Sequence, residues 1–320
     1  MESMISRRAA LLGLGGMVAA LPVSHARAAE SPPLVRVSIV PIFAVAAHFA
    51  AEKQGYFGQE GISVSTRPVQ GGAVGIPGLV SGSFDVLYAN SISCLTALER
   101  GIDLRFIAEG APVPKQPPDP GALLIRKGEK LHTGKDFEGK ILGVNAKYDI
   151  QWLVMQGWVK KTGGDVSKIT YREVPLPSML DAIRGKQVDG ALVLDPFMTA
   201  GLSDPAFERA GWPLSTAMPG LPTSFWVISG SVAEAKPQLI RAYRKAFLRG
   251  GQWINANLHN DAYDRLVASY TRTDPELIAK MVASQQPLDI DVEAARKLAV
   301  LMKENGLLKT DIDIGPKLFT

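Results

Sequence analysis

The segments that decide the fold are Leu79-Val80-Ser81-Gly82-Ser83-Phe84-Asp85-Val86 and Ala182-Ile183-Arg184-Gly185-Lys186-Gln187-Val188-Asp189-Gly190. In each segment a helical pattern stops at a glycine, and an aspartate then leads into an apolar strand. The first segment passes from helix to strand one residue sooner than the second. Because the unit occurs twice, the sequence predicts two similar lobes with a cleft between them, an architecture suited to hinge closure.

Strands and helices alternate on both sides of these segments. Residues 35–40 alternate between apolar and polar side chains and predict a strand, and residues 44–54 predict a helix that Gly55 ends. The alternation continues to residue 108 and occurs again from 136 to 194. Such repeated strand–helix–strand units imply parallel strand pairing. The predicted fold class is therefore α/β, with a mainly parallel sheet flanked by helices in each lobe.

A proline-rich stretch, residues 112–120, predicts a surface connection between the two series. We expect residues 34–128 and 218–320, including the C-terminal helices, to form the first lobe. Residues 129–217 form the second lobe in this prediction. The lobes are expected to close about the strands at 122–126 and 224–228.

The N-terminal residues have the pattern of an export signal. Ser6-Arg7-Arg8 precedes the uncharged stretch 9–24, and Ala26-Arg27-Ala28 is a small-x-small cleavage site. This order predicts a twin-arginine signal peptide over residues 1–28, cleaved near Ala28, and a periplasmic mature protein. The formal net charge of +4 is not gathered into a basic stripe, which argues against nucleic acid as a partner.

Cysteine and histidine usage limits the chemistry of the chain. Cys94 is the one cysteine in the sequence, so an exported protein of this kind relies on core packing without an internal disulfide. His48, His132 and His259 lack the spacing of metal ligands. The sequence therefore predicts no metal and no cofactor, and we expect a monomer.

Several segments resemble one family of transport proteins. Ala50-Ala51-Glu52-Lys53-Gln54-Gly55-Tyr56-Phe57, followed by Glu60-Gly61-Ile62-Ser63-Val64, resembles a segment of periplasmic binding proteins for sulfonates, taurine, nitrate and pyrimidine thiamine precursors. Residues 79–86, 137–144 and 183–189 match the same family in the same order. The resemblance implies the type II periplasmic-binding-protein fold, with the ligand cleft between the lobes.

The resemblance also implies a function and partners. It implies the extracytoplasmic solute-binding component of an ABC importer, which captures a small organic anion or zwitterion, such as a sulfonate, taurine or a carboxylate, by lobe closure. A permease in the cytoplasmic membrane is its transient partner. Two alternatives stay open: the ligand is a pyrimidine or another nitrogen heterocycle, or the chain serves a membrane sensor instead of a transporter.

Open α/β sheets bind ligands beyond the carboxyl ends of their strands. This rule selects as candidate ligand-binding residues Ile42, Phe43, Ala44, Gln70, Gly71, Gly72, Asn90, Ser91, Asn145, Tyr148, Asp195 and Phe197, with Trp226 near the hinge. Gly71 and Gly72 leave backbone N–H groups bare at a helix start, where an anionic group is favoured, although a tight turn explains them equally well.

Other candidates carry two interpretations each. The resemblance implies that Asp195 contacts an amine or ring nitrogen, whereas its place before Pro196 also fits a helix N-cap. Phe43, Tyr148 and Phe197 suit either the cleft wall or the core, as does Trp226.

Enzymes with this architecture use features that the chain lacks. Yeast-type thiamine-pyrimidine synthases carry a cysteine-rich segment, and sulfinate-cleaving enzymes carry a cysteine nucleophile after the first strand. This chain has Phe43 and Ala44 after the first strand, and Cys94 lies in a later helix. We therefore expect a binding protein without enzymatic activity, and a C–S lyase of the desulfinase type is the alternative.

Overall fold

The structure is a computed structural model that describes residues 31–69 and 72–320. The predicted signal peptide, residues 1–28, and the candidates Gln70 and Gly71 lie outside the described residues. Residues Pro32–Thr320 pack together as one unit.

Ten strands occur in the described part of the chain. They are β1 (Leu34–Ile39), β2 (Ser63–Pro68), β3 (Val86–Asn90), β4 (Leu104–Glu109), β5 (Gly121–Arg126), β6 (Ile141–Val144), β7 (Thr170–Glu173), β8 (Gly190–Leu194), β9 (Phe207–Gly211) and β10 (Ser224–Ser229).

Thirteen α-helices accompany these strands within the same described ranges. They are α1 (Ala46–Lys53), α2 (Tyr56–Gln59), α3 (Gly72–Val80), α4 (Ser91–Glu99), α5 (Ile150–Lys161), α6 (Met179–Arg184), α7 (Phe197–Ser203), α8 (Pro213–Ala217), α9 (Gly230–Ala235), α10 (Pro237–Asn257), α11 (Asp261–Thr271), α12 (Pro275–Ile278) and α13 (Val292–Glu304).

The strands form two five-stranded sheets of the same design. The first sheet has the order β2-β1-β3-β10-β4, and the second has the order β7-β6-β8-β5-β9. In each sheet three neighbouring strands at one edge are parallel. An antiparallel strand, β10 or β5, is inserted between the third of them and the strand at the opposite edge. The α/β class is confirmed, and both sheets are mixed because each contains an inserted antiparallel strand.

The positions of β5 and β10 differ from the prediction that these strands form the hinge. Both strands lie inside a sheet, hydrogen-bonded on both sides, so neither is a flexible connection. The chain crosses between the sheets in residues 110–120 and 212–223, where Pro112 and Pro222 form an isolated bridge. Since β5 belongs to the second sheet, the chain enters that sheet before residue 121 and not after residue 128.

The two aspartates of the repeated segments perform the same local task. Asp85 accepts a hydrogen bond from the N–H of Arg36 at 2.9 Å and donates its own N–H to the Arg36 carbonyl at 2.8 Å. Asp189 does the same with Ile141, at 2.8 Å in both directions. Each aspartate thus fixes its strand in register with a parallel neighbour, which explains why the pattern occurs twice.

Helices from the C-terminal part of the chain complete the core. In α10 the buried residues Ile240, Tyr243, Phe247 and Ile254 follow helical spacing and face one side of the first sheet. A second cluster, which includes Leu123, Trp158 and Leu298, fills the space that both sheets share. No helix among residues 31–69 and 72–320 is long and apolar enough to span a membrane.

Candidate functional site

A cavity of about 150 Å³ lies where residues of both sheets meet, and we call it the central cavity. It opens at the carboxyl ends of β1, β3, β6 and β8, as the rule for open α/β sheets predicts. Its walls are formed by Val40, Ile42, Phe43, Ala44, Tyr88, Asn90, Ala111, Pro112, Val113, Pro120, Asn145, Asp149, Ile150, Gln151, Leu176, Leu194, Leu214, Thr223, Ser224 and Ser284.

Asn90 provides the main amide group from the first sheet. It is the last residue of β3 and the N-cap of α4, and its Oδ1 accepts a hydrogen bond from the N–H of Ser93 at 2.8 Å. Its Nδ2 donates to Oδ2 of Asp149, at 3.3 Å, on the opposite side of the cavity. This hydrogen bond links the first sheet directly to the second.

The loop between β6 and α5 provides the polar groups of the second sheet. Asp149 is the N-cap of α5, and its Oδ1 accepts a hydrogen bond from the N–H of Ile150 at 2.7 Å. Gln151 is 2% exposed, and its Oε1 accepts a hydrogen bond from the N–H of Asn145 at 2.7 Å. Nε2 of Gln151 and Oδ1 of Asn145 are buried and have no hydrogen-bond partner. Both atoms have almost no accessible surface, so they are unsatisfied inside the wall and do not face the open space of the cavity.

The electrostatic character of the central cavity is set by one carboxyl group. Among the described lining residues, Asp149 is the sole charged side chain, and none is Lys, Arg or His. Burial raises the pKa of the Asp149 carboxyl, and the hydrogen bond from the N–H of Ile150 opposes that rise. Most of the remaining wall is aliphatic or aromatic.

The structure brings five of the predicted site residues to the central cavity: Ile42, Phe43, Ala44, Asn90 and Asn145. Ser91 is buried beside it, and its hydroxyl donates a hydrogen bond to the carbonyl of Pro222 at 2.8 Å. Gly72 is the first residue of α3.

Asp195 lies outside the described cavity lining, directly before Pro196, which is the N-cap of α7, and its carboxylate accepts hydrogen bonds from the first turn of that helix. Its Oδ1 accepts hydrogen bonds from the N–H and the hydroxyl of Thr199, at 3.0 and 2.6 Å, and its Oδ2 accepts the N–H of Val282 at 3.4 Å. These partners use both carboxylate oxygens, so the capping interpretation accounts for Asp195 without a ligand.

The three remaining aromatic candidates also lie away from the cavity lining. Trp226 is fully buried in the core of the first sheet, where its ring packs against His48 and Phe247. Phe197 packs against the core of the second sheet, and Tyr148 is 68% exposed. Trp226 lies two residues further along β10 than Ser224, which is the residue of that strand that reaches the cavity.

Sequence reasoning missed Asp149, Gln151 and Ser284. Asp149 had a usable signal, because an aspartate before a predicted helix that starts at residue 150 is a standard N-cap at the ligand-binding edge. Gln151 is the second residue of that helix, and nothing in a local pattern separates it from a solvent-exposed glutamine. Ser284 comes from the C-terminal part of the chain, which the strand rule does not cover.

Ser284 belongs to residues 279–291, which we call the cover segment. Gln286 anchors the cover segment to the first sheet, since its Nε2 donates to the carbonyl of Glu109 at 2.7 Å and its N–H donates to Oδ1 of Asn255 at 2.8 Å. Val282 packs against the core of the second sheet. The cover segment therefore contacts both sheets beside the central cavity.

These features define a class of protein: a two-sheet α/β chain with a partly open cavity that residues of both sheets line. A family model described as the NMT1-like family matches residues 28–270, and the chain belongs to this family. No curated protein matches the sequence.

Solved structures share the fold at low sequence identity. The periplasmic aliphatic sulphonate binding protein SsuA from Escherichia coli is 18% identical with a TM-score of 0.74, covering 90% of this chain and 98% of SsuA. The periplasmic nitrate-binding protein NrtA from Synechocystis PCC 6803 is 12% identical with a TM-score of 0.71, covering 87% and 83%. A mutant of DszB in complex with biphenyl-2-sulfinic acid is 13% identical with a TM-score of 0.68, covering 90% and 96%. At these identities the likeness establishes the fold.

Proposed function

We propose that this chain is the extracytoplasmic solute-binding component of an ABC importer, and that the central cavity holds its solute. The observation that carries the proposal is the composition of the cavity wall, to which both sheets contribute and across which Asn90 donates a hydrogen bond to Asp149. Membership of the NMT1-like family and the fold shared with sulfonate- and nitrate-binding periplasmic proteins support it.

The mechanism is ligand capture by closure of the two sheets around the solute. A solute in the central cavity touches residues of both sheets at once, which is possible only while the sheets are close together. It therefore shifts the population toward the closed arrangement, to which the Asn90–Asp149 hydrogen bond also contributes. The crossings at residues 110–120 and 212–223 are the segments about which the closure takes place in this proposal.

The permease of the importer is the transient partner in this proposal, and the protein acts as a monomer in the periplasm. The export signal predicted for residues 1–28 supports that location, as do the periplasmic proteins that share the fold. The solute expected from the sequence is a small organic anion or zwitterion. The described wall supplies no cationic side chain for its anionic group, so such a group would have to bind backbone N–H groups.

The environment of Cys94 supports binding over C–S bond cleavage. Cys94 is fully buried in α4, and burial raises the pKa of its thiol far above its usual range. A thiol in that state is a poor nucleophile. The loop that follows β1 contributes Phe43 and Ala44 to the cavity, where the sulfinate-cleaving enzymes have their cysteine.

Thermal unfolding with a panel of sulfonates, carboxylates, nitrate and nitrogen heterocycles tests the proposal. A solute present at 100 times its dissociation constant is expected to add about 2.7 kcal/mol to the free energy of unfolding. Small-angle scattering should show compaction with the same solute. Ala44→Phe, which fills the central cavity, should abolish both effects, and Ala235→Phe at the exposed end of α9 should preserve them. If no solute of any class binds, the proposed function is wrong.

A further inference from the structure

We propose that the cover segment, residues 279–291, is a latch for the central cavity. The first sheet carries the segment, and the cavity opens when Val282 leaves the second sheet. This inference goes beyond the proposed function, because it names the contact that controls the opening of the cavity and says nothing of the solute. Two observations carry it: a firm attachment to the first sheet and a slight attachment to the second.

Hydrogen bonds at two points attach the cover segment to the first sheet and its helix α10. The side-chain amide of Asn255 accepts the N–H of Gln286 at 2.8 Å and donates to the carbonyl of the same residue at 2.9 Å. Nε2 of Gln286 donates to the carbonyl of Glu109 at 2.7 Å. Further along the segment, the N–H of Asp291 donates to Oε2 of Glu109 at 2.8 Å. All of these distances are those of ordinary hydrogen bonds, so this side of the segment is firmly held.

Close packing also fixes the cover segment on α10. Gly251 and Asn255 are about one helical turn apart, so they lie on the same face of α10. A Cβ atom at position 251 would lie 2.8 Å from Cγ of Gln286 and 3.2 Å from Cδ2 of Leu288, which is closer than ordinary van der Waals contact. The missing side chain of Gly251 therefore leaves the space that the segment occupies on α10.

The attachment to the second sheet depends on Val282. Its N–H lies 3.4 Å from Oδ2 of Asp195, which is long for a hydrogen bond and contributes little. Its half-buried side chain packs against the core cluster of the second sheet, which includes Met179 and Val193. The preceding residue, Met281, is buried in the core of the first sheet instead. Adjacent residues thus contact different sheets, and the apolar contact of Val282 holds the segment to the second one.

The cover segment also separates the central cavity from the surface. Ser284 lines the central cavity and a surface groove of about 850 Å³, which Val282 lines as well. Pro112 and Val113, in the crossing at residues 110–120, line both spaces too. Because the same residues face the cavity on one side and the groove on the other, the wall between them is thin. Moving Val282 away from the second sheet would join the cavity to the groove.

A thiol placed in the cavity wall reports the opening directly. Ser224 lines the central cavity and is 2% exposed, so Ser224→Cys changes one atom at a position that a reagent reaches when the cavity opens. Cys94 is fully buried in α4 and reports global unfolding in the same molecule. Both rates can be followed in the full chain with methyl methanethiosulfonate, a small uncharged thiol reagent, and mass spectrometry of the peptides. The thiol at position 224 should react much faster than Cys94, because local opening costs less than unfolding, and equal rates would overturn the inference.

Val282→Ser in the Ser224→Cys chain tests the latch. It should raise the labelling rate at position 224 roughly five- to tenfold, because it removes an apolar contact that is lost on opening. Val64→Ser is the matched control, since Val64 is a half-buried valine in β2 that packs against the core of the first sheet alone. Its contact persists when the cavity opens, so the rate at position 224 should not change. An unchanged rate in Val282→Ser, or an equal rise in Val64→Ser, would overturn the inference.

Gly251→Ala tests which sheet carries the cover segment. It should displace Gln286 slightly but leave the labelling rate at position 224 unchanged, because the segment stays on α10 in the closed and the open arrangement. An acceleration as large as that of Val282→Ser would show that the segment leaves the first sheet instead, which would overturn the assignment. These measurements need no solute, so the latch can fail while the proposed function stands.

Discussion

Glu109→Gln should make the protein more stable at neutral and alkaline pH. Glu109 is the last residue of β4, is 3% exposed, and accepts the N–H of Asp291 at 2.8 Å. Burial raises the pKa of its carboxyl from 4.5 to about 7, against the lowering effect of that hydrogen bond. The charge of Asp291 also raises this pKa, and Asp291 lines the same surface groove as His259, Lys115 and Lys280.

The magnitude follows from the linkage between proton binding and folding. The folded protein holds the Glu109 proton more tightly than the unfolded chain, so stability is lost as pH rises from about 4.5 to about 7. At 1.36 kcal/mol per pKa unit, that loss is about 3 kcal/mol above pH 7. Glutamine does not ionise, and its Oε1 still accepts the N–H of Asp291. Above pH 7, Glu109→Gln should therefore be about 2 to 3 kcal/mol more stable than the wild type. The gain is smaller than the full loss because the new amide donor of glutamine needs a hydrogen-bond partner.

Urea unfolding at several pH values measures this difference directly. The stability of Glu109→Gln minus that of the wild type should be near zero at pH 4.5 and should reach its plateau above pH 7, since other titrating groups cancel in the subtraction. Glu234→Gln, at an exposed position on α9, should show no such rise. A difference that stays constant with pH, or a variant that loses stability as pH rises, would refute the account of Glu109 as a carboxyl whose ionisation is opposed by burial.

Three further variants or reactions test other described contacts. Asp85→Asn should lower the free energy of unfolding by about 2 to 3 kcal/mol, because Asp85 is fully buried between two half-buried cations. Burial would raise the pKa of Asp85, but hydrogen bonds from Arg36 and Lys236 lower it to about 2. In urea unfolding, the stability that Asp85→Asn loses should therefore shrink between pH 3.8 and about 2. A loss that stays constant with pH would contradict the ion-pair account. Asp195→Ala should cost about 1 to 2 kcal/mol of stability and leave solute affinities unchanged, and a selective loss of amine binding in calorimetry would show a ligand contact instead. Cys94 should resist a thiol reagent until urea unfolds the protein, and rapid labelling of the native protein would disprove its burial.

The fold was predictable where a short sequence pattern has a definite structural role. The aspartates at 85 and 189 follow a helix-ending glycine and accept the N–H of a neighbouring strand, so their spacing reports a real structural unit. The positions of β5 and β10 were not predictable in the same way. Both strands are buried on both faces, and a continuous apolar strand fits either sheet equally well.

The site was predictable only through the ends of strands. Asn90 ends β3 and Asn145 directly follows β6, so the rule for open sheets finds them. Gln151 reaches the same cavity from within α5, and its importance comes from a hydrogen bond to Asn145 that depends on the geometry of the loop. Trp226 was a candidate for the site but is buried in the core of the first sheet. The sequence does not show which residues of β10 face the cavity and which are buried in the core.

The insertion of β10 into the first sheet has a consequence for how the chain folds. Among the described strands β4 pairs with β10 alone, and β10 separates β4 from β3. Until residues 224–229 have left the ribosome, the first sheet consists of three paired strands and one strand without a neighbour, even though all four precede residue 110. The second sheet obtains its own inserted strand early, because β5 precedes the other four members. Nascent chains of increasing length should therefore acquire protease resistance in the later-encoded sheet first, an order opposite to that of synthesis.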